Sequence, residues 1–375
     1  MAGIYIHIPF CRQACLYCNF HFATSLRNKD ALVSAILRET DLQRDYLSGA
    51  MIETIYIGGG TPSLLPANDI RLLTERLRHH FQTAPGAEVT LEANPDDITP
   101  EKLTAWKAAG INRLSIGIQS FFDEDLRWMN RAHTAQMASE SLYLALRYFD
   151  NITIDLIYGS PRLSQEQWKQ NVETALASGV QHISCYALTV EPRTPLDKMI
   201  RQGKMEEVNP DQQSDQFLLL MQWMEEAGYE HYEISNFAKP GYRSRHNSAY
   251  WQGVPYLGMG PSAHSYNGTE RQWNLSNNTV YIRSVETGQG WFEKETLTQT
   301  QQLNEYIMIA LRTREGISLS VLREKFGIEE QVFTARACQF AERGLLIFGE
   351  KSIYLTNEGK LLADGIAAEL FFSPS

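Results

Sequence analysis

The chain has 375 residues, 43% hydrophobic and 21% charged, with a formal net charge of −10. These proportions exclude a disordered chain, a collagen and a coiled coil, and an allotment of roughly 150 residues per domain gives about two and a half domains. No stretch of about 18 residues lacks charged or strongly polar groups, so no transmembrane helix is expected. The acidic balance argues against general nucleic-acid or anionic-membrane binding, and MAGIYIHIPFCRQAC does not read as a secretory leader.

In chain order, short β-branched-rich apolar runs predict strands at 4–8, 54–57, 88–92, 113–118, 152–157, 182–187 and 229–234. Apolar residues at helical spacing predict helices at 30–46, 69–80, 100–109, 135–148, 165–177 and 211–227. Thr99-Pro100 and Asn209-Pro210 open two of them, and Gly110, Gly179 and Gly228 close others. Recurring strand–helix units mean an α/β fold with parallel strands and right-handed crossovers. Polar or glycine-rich motifs follow almost every strand: CRQACLYC, GGGTPS, EANPD, GIQS, DLIYG and YALTVEP. A (β/α) barrel, full or partial, gathers such loops on one face, whereas a doubly wound sheet concentrates them at one switch point.

The organisation expected is a barrel over 1–235, an irregular aromatic-rich packed extension over 236–300 and a C-terminal module over 301–375. In the module, helices are expected at 303–311, 318–325 and 333–342, a hairpin at 345–348 and 352–355, and a final helix at 357–370. This is a winged-helix-like α+β pattern, read as scaffold or partner contact because its helices are not notably basic.

The five cysteines are an odd number and do not form a disulfide framework. Cys11-x3-Cys15-x2-Cys18 follows the first strand. Three thiolates on a tight loop can hold three irons of a [4Fe–4S] cube and leave the fourth iron open to a chelating amine and carboxylate. Structural zinc is the alternative, with His7 or His21 as a fourth ligand, although the spacing is unusual for it. Cys185 and Cys338 lie in apolar patterns and are expected to be buried small hydrophobes.

Tyr5-x5-Cys11, CRQACLYC, GGGTPS, LEANPD, SIGIQS, DLIYGSP, HNSAYW and GMGPSAHSY resemble the radical S-adenosylmethionine (SAM) superfamily. Within it the chain is similar to the oxygen-independent coproporphyrinogen III oxidase-like family, which includes the bacterial heme chaperones. The resemblance covers nearly the whole chain. It implies a partial (β/α)6-type TIM barrel of the radical SAM type, with Cys11, Cys15 and Cys18 on the cluster. It also implies SAM contacts from Tyr5, Tyr17, Gly60, Thr61, Pro62, Glu92, Gln119, Arg131, Asp155, Ala187 and His264. The side-chain chemistry agrees. Gly58, Gly59 and Gly60 let backbone approach a ligand. Glu92 and Asp155 suit ribose hydroxyls or an ammonium group, and Arg131 suits a carboxylate. Taken singly, each polar residue reads equally well as a barrel-rim hydrogen bond.

Two departures separate the chain from the coproporphyrinogen dehydrogenases. Those carry CxxxCxxCxC, where this chain has Cys18-Asn19-Phe20, and they have a segment ahead of the cluster for which no room precedes Cys11. HNSAYW resembles the heme-associated signature of the chaperones, which implies heme contacts from His246, Tyr250 and Trp251, with Arg243 and Arg245 placed to meet propionates. On residue chemistry alone the motif reads more readily as locking a loop onto the barrel than as an iron ligand, and His231 and His264 are rival iron ligands. The expectation is a cytoplasmic heme chaperone that binds heme, a [4Fe–4S] cluster and SAM. Its partners are a heme-accepting protein such as a membrane-associated respiratory enzyme and a second copy in a homodimer, with no nucleic acid. The alternative is a radical SAM oxidoreductase acting on a porphyrinogen.

Overall fold

The structure, a computed structural model, describes residues 1–373. Six strand–helix repeats come first: β1 (Ala2–Ile8), α1 (Lys29–Leu42), β2 (Ile52–Gly59), α2 (Ala67–His80), β3 (Thr83–Ala93), α3 (Pro100–Ala108), β4 (Arg113–Gln119), α4 (Asp123–Trp128), α5 (Ala135–Ala145), β5 (Ile152–Tyr158), α6 (Gln165–Ala177), β6 (His182–Ala187), α7 (Pro195–Arg201) and α8 (Pro210–Glu226). Next come β7 (Glu230–Glu233), β8 (Asn236–Ala238), α9 (Arg245–Trp251), β9 (Tyr256–Met259), β10 (His264–Tyr266), β11 (Glu270–Asn274), α10 (Asn278–Thr287) and β12 (Phe292–Thr296). The chain ends with α11 (Gln299–Leu311), β13 (Ile317–Ser318), α12 (Leu319–Phe326), α13 (Glu330–Glu342), β14 (Leu346–Phe348), β15 (Ser352–Leu355), α14 (Asn357–Lys360) and α15 (Ala363–Leu370).

β1 to β6 lie side by side in chain order, each parallel to the next. Alternate residues divide the two faces. Ile4, Ile6 and Ile8 of β1, Ile55 and Ile57 of β2, and Leu114 and Ile116 of β4 join a core with Leu32, Ile36, Leu73, Trp106 and Trp168 of the surrounding helices. The intervening positions carry Tyr56, Glu92, Arg113, Ser115, Thr153, Asp155 and Ser184, which line an internal cavity. The wall of the barrel is therefore apolar outside and polar inside.

The sheet does not close. β6 is followed in space by β8, antiparallel to it, and then by β7, antiparallel to β8, so the strand expected at 229–234 pairs with β8 and not with the parallel series. On the other side β9 adds to β1 in parallel, and β10, β11 and β12 continue as an antiparallel meander. The stretch expected to be irregular is thus largely a continuation of the sheet across the open edge of β1.

The last segment has its own core of Leu303, Ile307, Leu322, Phe333, Phe340, Ile353 and Leu370, with a small sheet in the order β13-β15-β14. The single final helix expected at 357–370 is two, α14 and α15. Cys185 is 1% exposed, as expected. Cys338 is exposed, a correction: its α13 neighbours Phe333, Ala337 and Phe340 take the buried face and Cys338 turns outward.

Candidate cluster and cofactor site

The cysteine loop crosses the C-terminal mouth of the parallel strands. Backbone ties fix its two ends: Cys11 N–H donates to Ala23 O (3.0 Å), and Leu16 N–H donates to Met129 O (3.2 Å). Asn130 Nδ2 donates to Ala14 O at 2.7 Å, from a residue whose φ of 59° is rare without glycine. Cys11, Cys15 and Cys18 then border one end of a cavity of about 480 Å³.

Arg131 enters between loop and barrel. Its Nη1 donates to Cys15 Sγ (3.3 Å), while Nη2 donates to Asn94 Oδ1 (2.8 Å) and Gly117 O (3.0 Å). Its buried Nε has no partner among the described residues. A fixed cation beside the sulfurs favours thiolate. Burial pushes the Cys11 thiol the other way, up to about 11, so iron must displace a proton there to bind. Among the described residues, no three His, Cys, Asp or Glu side chains gather as a single metal ion requires. A cube takes each thiolate on a different iron, which suits three cysteines spread along a loop. The donor set and its cation fit a [4Fe–4S] cluster.

The opposite wall carries two acids. Glu92 accepts Tyr56 Oη–H (2.7 Å) on one oxygen and Gly59 N–H (2.9 Å) on the other. Burial raises it to about 7. Asp155 accepts Ser115 Oγ–H (3.4 Å) and is raised to about 6, again by burial. Near neutral pH Glu92 is partly protonated and Asp155 mostly ionised, so together the two acids offer a donor and acceptors to a polyhydroxylated ligand. Gln119, at φ 68°, turns off the end of β4 into the same space.

Cys11, Cys15, Cys18, Tyr17, Gly60, Thr61, Glu92, Gln119, Arg131, Asp155 and Ala187 line this one cavity. Tyr5, Pro62 and His264 are not on its lining. Tyr5 stacks on Tyr56 with ring centroids 6.1 Å apart, and its hydroxyl lies 3.0 Å from His7 Nδ1. Pro62 is buried in the short turn behind Thr61. His264 is exposed on β10, where its ring lies beside Trp273. The glycine triplet is also required by packing. A Cβ on Gly58 would fall 2.8 Å from Glu92, one on Gly59 2.7 Å from the His7 ring, and one on Gly60 2.7 Å from Phe10 O. Asn94, Arg113, Ser115, Tyr56, Ser184 and Asn247 also line the cavity and were not singled out from the sequence. The alternation Arg113-x-Ser115 and Thr153-x-Asp155 carried that information.

HNSAYW forms α9. Ser244 caps it, and Glu88 accepts the backbone N–H groups of Arg245 (3.1 Å) and His246 (3.0 Å). His246 is 2% exposed. Its Nδ1 lies 2.8 Å from Thr54 Oγ1, its Nε2 lies 3.0 Å from Tyr250 Oη, and its ring stacks on Tyr56. Neither ring nitrogen is open to iron in this arrangement. Trp251 lies under the Arg312 guanidinium of α11, 5.3 Å from carbon to ring centroid. Arg243 and Arg245 are held by Glu230 and Glu315, and by Glu53. Asn247 is the member of the motif that reaches the cavity. His231 is half-buried between Ile234 O and Lys360.

A radical SAM superfamily model matches residues 5–200, and a model described as the HemN C-terminal domain matches residues 297–362. The chain belongs to the radical SAM superfamily. It is 34% identical over 371 residues to a protein named heme chaperone HemW from Bacillus subtilis, covering 98% of each chain. It is 31% identical over 381 residues to the mitochondrial radical S-adenosyl methionine domain-containing protein 1 of Danio rerio, covering 97% of this chain and 86% of that one. The solved coproporphyrinogen III oxidase (HemN) of Escherichia coli superposes with a TM-score of 0.84 at 24% identity, covering 99% of this chain and 90% of that one. That match establishes the partial-barrel fold expected from the sequence. No helix among the described residues is long and apolar enough to cross a membrane.

Proposed function

We propose that this protein is a heme chaperone that binds heme, a [4Fe–4S] cluster and SAM and passes heme to an acceptor protein, such as a membrane-associated respiratory enzyme. The observation that carries the reading is its likeness, over 98% of its length, to relatives named heme chaperone HemW. Phe20, 67% exposed at the cavity mouth, stands where the dehydrogenases carry a fourth cysteine and agrees with the reading.

Cys11, Cys15 and Cys18 hold the cluster, and Arg131 supplies a countercharge and fixes Cys15. Tyr17, Thr61, Glu92, Gln119, Asp155 and Ala187 form the SAM-facing wall. When bound, the cluster and SAM supply one-electron reduction of a sulfonium. Glu92 holds the Gly59 turn by its N–H and offers its carboxyl group to hydrogen-bond a ligand hydroxyl. Heme contact is assigned to the HNSAYW segment. Ligation by His246 requires Thr54 and Tyr250 to release its ring, so Asn247 at the cavity and the Tyr250–Trp251 surface are the more accessible parts. The protein works in the cytoplasm as a homodimer, with residues 1–235 as the cofactor unit, 236–300 as the heme-associated unit and 301–375 as the partner-facing unit.

The polar cavity wall, complete on β2 to β6, favours a second reading, a radical SAM oxidoreductase acting on a porphyrinogen. One anaerobic experiment separates the two. Reconstituted protein receives SAM, reductant and either coproporphyrinogen III or heme. Tight heme binding without decarboxylation is expected, and decarboxylation would establish the second reading. Changing Cys11, Cys15 and Cys18 together to Ala should abolish the brown cluster absorbance while circular dichroism keeps its α/β form. Retention of about four irons per chain would overturn the cluster assignment.

A further inference from the structure

Two arms of the cysteine loop leave the site in different directions. The arm at Ala14 and Leu16 is tied to residues 129–131. The arm after Cys18 runs through exposed Phe20 to His21, where two histidine contacts add to the backbone pairing of Ala23 with Pro9 and Cys11. His7 Nε2 lies 2.9 Å from His21 O, and His21 Nε2 lies 2.7 Å from Asn278 Oδ1 on α10. A carbonyl only accepts, so Nε2 of His7 carries the hydrogen and Nδ1 is left to accept from Tyr5 Oη–H at 3.0 Å. The His7 ring is buried, and it fills the space where Gly59 could not carry a Cβ. One imidazole thus touches both the glycine turn and the outgoing arm of the cluster loop.

We infer that His7, oriented by Tyr5, is a positioning residue that locks the Cys18 arm of the cluster loop onto β1 and the Gly59 turn, with Asn278 holding the same arm from outside. The inference rests on the assignment of Cys11, Cys15 and Cys18 to a cluster. Tyr5 then acts through His7 rather than on the cofactor. The relay belongs to the shell behind the ligands, whose loss weakens metal sites by about 10-fold or more.

The test uses the full chain, reconstituted anaerobically. His7→Phe keeps the ring volume and removes both hydrogen bonds, whereas His7→Gln keeps an amide donor for His21 O. With far-UV circular dichroism unchanged, His7→Phe should lose the cluster absorbance in air about 10-fold faster than wild type. It should also broaden the electron paramagnetic resonance signal of the reduced cluster. His7→Gln should stay within about two-fold of wild type. Asn278→Ala, at a half-buried helix start, should shift the decay in the same direction by a smaller factor, and it serves if His7→Phe fails to fold. Wild-type decay and spectrum in His7→Phe, or equal loss in the Phe and Gln variants, overturns the inference. A wild-type chain that takes up no cluster overturns the parent reading and this one with it.

Discussion

Replacing His246 by Ala removes an imidazole that serves three elements at once. Thr54 Oγ1 and Tyr250 Oη lose their shared partner, and Tyr56 loses its stacking neighbour. The cost should be about 2–4 kcal/mol of stability, from a cavity plus two orphaned hydroxyls. Urea unfolding measures it, and an unchanged midpoint would refute the buried network. The same variant titrated with heme reads the ligand. If His246 stays in this network, the Soret band keeps its position. A displaced Soret band would mean that α9 opens to bind. The cysteines were legible in the sequence because their relation is local, eight residues on one loop. The partners of His246 were not. Thr54 is 192 residues away and Glu88 is 158, and no spacing rule reaches so far. Arg131 was legible as a cation suited to a carboxylate, but its place on the Cys15 sulfur came only with the fold.

Among the elements, α1 carries a polar group into the core. Glu39 is fully buried and accepts Gly260 N–H (2.8 Å), Asn274 Nδ2 (2.7 Å), Trp291 Nε1 (3.0 Å) and the hydroxyl of Tyr281. One carboxylate therefore pins α1 to β11, to α10 and to the turn after β9. Burial lifts its pKa to about 7 from an ordinary 4.5. Between those values the folded chain keeps a proton that the unfolded chain has lost. Stability from this group is therefore greatest below about 4.5, falls as pH rises and levels off above about 7. Glu39→Gln should flatten that part of the profile. It should also lower stability at every pH, because four donors then meet an amide with one acceptor oxygen. Guanidinium unfolding across the interval checks both, and a retained slope would assign the titration to other acids such as Glu92 and Asp155, whose shifts have the same sign. Helices with local start codes were readable. α6 spans 165–177 as expected, opened by the Ser164–Gln167 capping box. α4, α7 and α9 were missed because each is six or seven residues long and is fixed by tertiary contacts rather than periodicity.

At the scale of the whole molecule, the C-terminal module is fastened through Arg312. It bonds Glu233, whose side chain is 1% exposed, at 3.0 Å, and it covers Trp251. The backbone adds Ile234 N–H to Arg312 O and Arg314 N–H to Tyr232 O, each 3.0 Å. Arg312→Ala strands a buried carboxylate and uncovers an indole. The expected loss is about 3 kcal/mol, felt as module detachment rather than barrel unfolding. Hydrogen exchange should quicken at 312–316 and 230–234 while β1 to β6 stay protected. Uniform acceleration would mean that the parts unfold together. The barrel was legible at this scale because β1 to β6 follow chain order. The far side was not, since β9 finds β1 only after some 250 intervening residues, and its four-residue run has no pattern of its own.

That late pairing also bears on synthesis. β1 leaves the ribosome some 250 residues ahead of β9, and β2 soon covers one of its edges, but the other stays bare until residues 256–259 emerge. Through that interval the nascent chain therefore carries an apolar parallel edge of the kind that recruits neighbouring strands. Chains released early keep that edge, and they should be the species that folding helpers and proteases remove first.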